Sequence, residues 1–135
     1  MSRFEVVAGA GSLRSREAGV TRFPHRWTEE GVTVEAEFTG AHLLHLSVAG
    51  CVLNDVYREA QDLGIKIDGV RVSAGGGFDS RTWASDGVTY EVEVSSPAPG
   101  PDVAALLRRV DEVAEIPRAI RAGASVDRSG NGVDG

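Results

Sequence analysis

The chain has 135 residues, a single cysteine and a formal net charge of −6 at neutral pH. That length fits one domain with one core, and the acidic balance excludes a general nucleic-acid binder, which needs a basic footprint. No run approaches the ~20 apolar residues of a membrane span, and a lone thiol without an apolar leader points to a soluble cytoplasmic protein with no membrane partner.

Phe4 to Leu13 reads as a first strand and Gly19 to Trp27 as a second, broken near Pro24. Val32 to Phe38 (VTVEAEF) alternates cleanly and predicts a third strand. Thr39 is placed to cap a long helix over Ala41 to Leu63, which Gly64 ends. Ile65 to Gly75 alternates again, with Asp68-Gly69 marking a bulge. Gly75-Gly76-Gly77 reads as a mobile hairpin connection, since it lacks the setting of a phosphate loop. An Asp86-Gly87 turn then leads into a strand over Val88 to Ser95. Asp102 to Ala114 predicts an amphipathic helix, interrupted at Pro117, which starts a short helical turn to Arg121. Gly123 to Val126 adds an edge strand, and residues 128–135 form a flexible tail after one domain spanning residues 1–127. The order of elements is α+β, not alternating βα units.

The long helix carries the most information. On a wheel of about 100° per residue, Leu46, Ala49, Val52, Leu53, Val56, Ala60 and Leu63 share one face. Cys51 lies outside it, on a stripe with Leu44, Ser47, Asn54, Asp55 and Arg58. Two readings stand: an inert packed thiol, or a reactive one bordered by polar groups. From Leu43 to Leu53 the helix is apolar on most of its circumference, so it needs cover on two sides. A second subunit supplies that cover most easily, which predicts a homodimer.

The run Ser47-Val48-Ala49-Gly50-Cys51 after Leu43-Leu44, the helix end Arg58-Glu59-Ala60, GIKIDGVRVSAGGGFD, VTYEVEVSS and DVAALLRRVDEVAEIPRAIRAGASV together resemble the OsmC/Ohr superfamily. The resemblance spans roughly Gly40 to Val126. It implies antiparallel sheets around a long central helix in an intertwined homodimer. It also implies that Cys51 is the thiol that attacks a peroxide O–O bond, assisted by an arginine from the N-terminal strands, Arg14 or Arg16. Two departures are visible. The family's second cysteine, directly before a late proline, is Ile116 here, and a carboxylate ten residues before the reactive cysteine is Ala41. A two-cysteine cycle is thereby excluded, and any regeneration requires an external thiol.

Ser47, Asn54 and Asp55 are the candidate substrate-binding residues beside Cys51. Asp55 and Arg58, three apart, also fit a local ion pair. His42 and His45 have i, i+3 spacing and His25 is a possible third partner, but no HExxH pattern accompanies them. No metal and no cofactor are expected. Trp27 and Trp83 read as aromatic packing or as the wall of a pocket. Two functions lead: a one-cysteine reductant of organic hydroperoxides, or a non-catalytic protein of the same fold that binds a small hydrophobic or thiol ligand at the dimer interface; a redox sensor signalling through Cys51 sulfenylation is a third, weaker reading.

Overall fold

A computed structural model describes residues 3–130. Its elements are β1 (Val6–Gly11), β2 (Thr21–Phe23), β3 (Val32–Glu35), α1 (Gly40–Leu63), β4 (Gly69–Phe78), β5 (Ser85–Ser95), α2 (Gly100–Val113) and α3 (Glu115–Ala122). The strands form one antiparallel sheet in the order β2-β3-β1-β4-β5. Alternation decides which face is apolar. Val6, Ala8 and Ala10 of β1 pair with Ala74, Val72 and Val70 of β4, and all six are buried. Val92 and Val94 of β5 extend the same stripe.

Helix α1 lies across that stripe, packed on β1, β4 and β5. Its sheet side inserts Ala49, Val52, Leu53, Val56 and Ala60 into the core. Much of the second cover comes from the chain itself: α2 and α3 pack on α1, and α2 buries Leu106 and Val110. Leu43, Ser47 and Asn54 remain an exposed stripe.

Both ends of α1 are as expected. The Thr39 hydroxyl accepts from the His42 N–H at 3.1 Å, and Gly64 closes the helix in the left-handed conformation (φ 69°). There the Ile65 N–H bonds the Ala60 carbonyl. Because that amide closes the helix, the strand expected from Ile65 starts later, at Gly69, while Ile65 and Ile67 pack on the core from a connector.

The glycine run corrects another expectation. Gly75, Gly76 and Gly77 lie inside β4, and the irregularity in the sheet falls between Gly76 and Phe78, not at Asp68-Gly69. A Cβ on Gly76 would stand 2.1 Å from the Gly87 carbonyl oxygen. The strands therefore approach closely where only hydrogen fits. Asp86-Gly87 accordingly belongs to β5, and the turn sits at Asp79, whose carboxylate accepts from the N–H groups of Arg81 and Thr82. Gly76→Ala is expected to lower stability by about 1–3 kcal/mol through this overlap. Gly50→Ala, on α1 with open space around it, should be neutral or stabilising. Urea midpoints of the two variants check the contrast.

The break before α3 falls at Ala114 (ψ 121°), so Pro117 sits inside the first turn of α3, where its missing N–H has no helical partner to lose. Residues 123–130 carry no helix or strand, so the expected Gly123–Val126 edge strand is not formed. Of the expected tail, residues 131–135 lie outside the described residues.

Candidate functional site

Cys51 faces α3 from the middle of α1, half-buried. Its thiol donates to Glu115 Oε2 at 3.5 Å, and the backbone N–H of Ile116 points at the sulfur. Glu115 opens α3, so the turn at Ala114 brings this carboxylate and the Ile116 amide to the thiol. Arg58, two turns along α1, ties the cluster together. Its guanidinium reaches Asp55 Oδ1 at 3.1 Å, Glu59 Oε2 at 3.1 Å and Glu115 Oε1 at 3.2 Å. Arg109 of α2 pairs with the other oxygen of Glu59.

Three carboxylates thus share two guanidiniums beside the thiol, and the protonation of these groups differs by position. Burial lifts the Asp55 carboxyl to about 6; Arg58 opposes the shift, while Glu115 and Glu59 add to it. Glu115 is held below the usual carboxylate range by Arg58 first and by the Cys51 thiol second. Burial pushes Glu59 up, but the hydrogen bonds from Arg109 and Arg58 overcome it and leave Glu59 below its ordinary value. The Cys51 thiol is raised, chiefly by burial. The Ile116 N–H works against this, and the charges of Asp55 and Glu115 reinforce it. A thiol so placed is a proton donor at neutral pH and a weak nucleophile. Cys51 Sγ and one oxygen each from Asp55 and Glu115 lie within 4.8 Å of one another, the one such donor group among the described residues.

The expected residues divide. Cys51 and Asp55 come together, and Asp55 pairs with Arg58 as the spacing suggested. Ser47 and Asn54 turn elsewhere: the Ser47 hydroxyl donates to the Leu44 carbonyl, and Asn54 Oδ1 lies 3.0 Å from His25 Nε2. Neither expected arginine of this chain reaches the sulfur. Arg14 Nη1 donates to the Gly11 carbonyl and faces Glu30 at 3.8 Å, and Arg16 is exposed. The reason lies in the strand register. Gly9 alternates with the inward Ala8 and Ala10, and the backbone of Leu13 and Arg14 folds against it, on the sheet face away from α1. The residue missing from the expected set is Glu115. Its position beside Ile116, where the family resemblance places a second cysteine, was the available signal.

The histidines and tryptophans make structural contacts. His42 Nδ1 lies 2.6 Å from the Thr39 hydroxyl, and His45 Nδ1 donates to the Phe4 carbonyl at 2.8 Å. Trp27 stacks on Tyr57 with ring centroids 6.4 Å apart, whereas Trp83 is exposed on the β4–β5 turn.

Beside the cluster a cavity of about 410 Å³ opens between α1, β5 and α3, lined by Val48, Val88, Tyr90, Pro117, Ile120 and Arg121. Val48 is three residues before Cys51 on α1, and Pro117 follows the residue whose N–H meets the sulfur. A second cavity, of about 250 Å³, lies between β2, β3 and the other flank of α1 and includes Phe23, His25 and Asn54.

The chain matches the family described as OsmC-like protein over residues 32–128. No curated protein matches it. Two solved structures share its fold. An OsmC like protein from Mycoplasma pneumoniae superposes with a TM-score of 0.57 at 11% identity, covering 79% of this chain and 89% of that one. An OsmC-like hydroperoxide resistance protein from Jannaschia sp. CCS1 gives 0.51 at 15% identity, covering 96% of each. The family match takes in α1 with Cys51 and all of α3, and the sheet-and-central-helix architecture agrees with it: this chain belongs to the OsmC-like protein family.

Proposed function

We propose that this chain is a one-cysteine reductant of organic hydroperoxides, slow in turnover, acting through Cys51. The observation that carries the reading is the thiol-to-carboxylate hydrogen bond between Cys51 and Glu115, on the two helices whose Val48, Pro117 and Ile120 line a largely apolar cavity. Val48, Val88 and Ile120 suit the alkyl part of a hydroperoxide. Glu115 takes the thiol proton as the sulfur attacks the terminal peroxide oxygen. The O–O bond breaks, its electron pair leaves on the alkoxide, and Glu115 returns the proton to it. The products are Cys51 sulfenic acid and an alcohol. Two equivalents of an external thiol then restore the cysteine, giving a disulfide and water.

The same electrostatics make the step slow. The thiol is raised and Glu115 is lowered, so proton transfer between them runs uphill. Those features, with Arg14 and Arg16 turned away from the sulfur, favour a second reading: a non-catalytic protein whose cavity binds a small hydrophobic or thiol ligand. The proposal also includes a cytoplasmic homodimer whose seam takes the exposed stripe of Leu43, Ser47 and Asn54. Among the described residues no helix is long and apolar enough to cross a membrane.

Loss of tert-butyl hydroperoxide with a small dithiol as reductant decides between the readings. Weak turnover is expected that vanishes in Cys51→Ser. The peroxide step should stay nearly level from pH 7 to pH 8, because the starting state, an ionised Glu115 beside a neutral thiol, keeps its protons across that range and passes one only within the site. Equal rates for the native chain and Cys51→Ser would leave the binding reading.

A further inference from the structure

The groups around Cys51 hold donor atoms that peroxide reduction leaves idle. Arg58 grips one oxygen of each neighbouring carboxylate, Oδ1 of Asp55 and Oε1 of Glu115. The opposite oxygens are differently placed. Glu115 Oε2 lies 3.5 Å from the sulfur, and Asp55 Oδ2 is buried with no hydrogen-bond partner, on a residue only 3% exposed. An orphaned buried oxygen of this kind costs about 1–3 kcal/mol, and a bound ion is one of the standard reasons for its survival.

We propose that Cys51, Asp55 and Glu115 form a binding site for a divalent cation of the zinc class, which accepts one thiolate together with two carboxylates. Tetrahedral ligands at Zn–S ≈ 2.3 Å and Zn–O ≈ 2.1 Å stand about 3.6 Å apart. Cys51 Sγ and Glu115 Oε2 are already at 3.5 Å, so the cation takes the place of the thiol proton between them. The exchange is a simple substitution: the S–H bond gives way to a sulfur–metal bond, one proton leaves to solvent, and nothing is oxidised.

Charge supports the same conclusion. With a neutral thiol, Asp55 and Glu115 outweigh Arg58 by one negative charge, while Glu59 is matched by Arg109. With the cation bound, a thiolate and two carboxylates meet a dication and a guanidinium, and the site is neutral. Arg58 then acts as an outer partner that fixes both carboxylates. The Glu115 side chain is 65% exposed, which gives the ion an entry path and leaves room for water as a fourth ligand. The site stands whether or not Cys51 reduces peroxides, and its test involves none.

Untagged, reduced, chelator-treated protein should be titrated with Co²⁺, the visible stand-in for Zn²⁺. One equivalent is expected to produce a sulfur-to-cobalt charge-transfer band in the near ultraviolet, with release of one proton, and Zn²⁺ should abolish the band. Cys51→Ser should lack it, Asp55→Asn and Glu115→Gln should each weaken binding at least about tenfold, and His42→Gln should bind as the native chain does. Stoichiometric Zn²⁺ should also block alkylation of Cys51 in the native protein, a readout that needs no variant. Absence of the band in the native chain, an unchanged spectrum in Cys51→Ser, or alkylation indifferent to Zn²⁺ would each overturn the site.

Discussion

Replacing Arg58 with methionine is expected to destabilise the protein by about 2–4 kcal/mol at pH 7.5, a sizeable share of the ~5–15 kcal/mol that holds a domain folded. Asp55 loses the one ionic partner it has among the described residues while remaining buried within the influence of Glu59 and Glu115, and removing one member of a buried pair costs more than the pair is worth. The partial exposure of Arg58 keeps the loss below that of a fully buried ion pair. The deficit should shrink toward pH 5. The carboxyl of Asp55 is raised to about 6 in the folded chain, above its unfolded value, so below that pH it carries a proton and needs no guanidinium. Arg58→Lys, which keeps the charge but loses the fork that spans three carboxylates, should fall between. Urea denaturation at the two pH values measures all three chains. A loss independent of pH would show that Asp55 is not the group Arg58 serves.

The second large effect is expected from Ile116→Cys. The Ile116 N–H already meets the Cys51 sulfur, so a cysteine at position 116 would start beside the thiol it has to join. Mild peroxide should join the two cysteines, removing both free thiols. The crosslink closes a long loop between α1 and α3, so the oxidised form should gain up to about 4 kcal/mol over the reduced one. Turnover of hydroperoxide with a dithiol should exceed that of the native chain, because the sulfenic acid is then captured within the molecule before it oxidises further. Thiol titration and denaturation with and without reductant read the outcome. Two thiols persisting after oxidation would show that the two helices hold Cys51 and position 116 in separate surroundings.

The sequence revealed most where periodicity and caps agree locally. Thr39, the apolar face from Ala49 to Ala60, and Gly64 are enough to draw α1, and the alternation of Val88, Tyr90, Val92 and Val94 is enough to draw most of β5. It was silent where one segment overrules another. Gly75-Gly76-Gly77 looks flexible until the Gly87 carbonyl is brought against it. Ile65 alternates like a strand residue until its amide closes the helix. The candidate site shows the same split. Cys51, Asp55 and Arg58 share one helix and can be grouped by rotation. Glu115 comes from an element far along the chain that a backbone turn at Ala114 aims at the thiol, and spacing does not encode it. Arg14 fails as the sulfur's partner within the chain because the turn after β1 folds to the outer face of the sheet, a choice no residue type in that turn announces.

The sheet order has a consequence for how the chain is made. The first strand occupies the middle of the sheet, between β3 on one side and β4 on the other, and Val6 meets Ala74 across that second border. During synthesis from the N-terminus, β1 and β3 can join early, but the other edge of β1 stays bare until the whole of α1 and β4 has emerged. Pairings this distant in sequence close slowly, since the entropy of the intervening loop is lost before the contacts form. A nascent chain that ends before Gly69 therefore holds an open strand edge beside an apolar helix that has β1 to rest on but neither β4 nor β5, the state in which chains of this order are most open to aggregation and to chaperones.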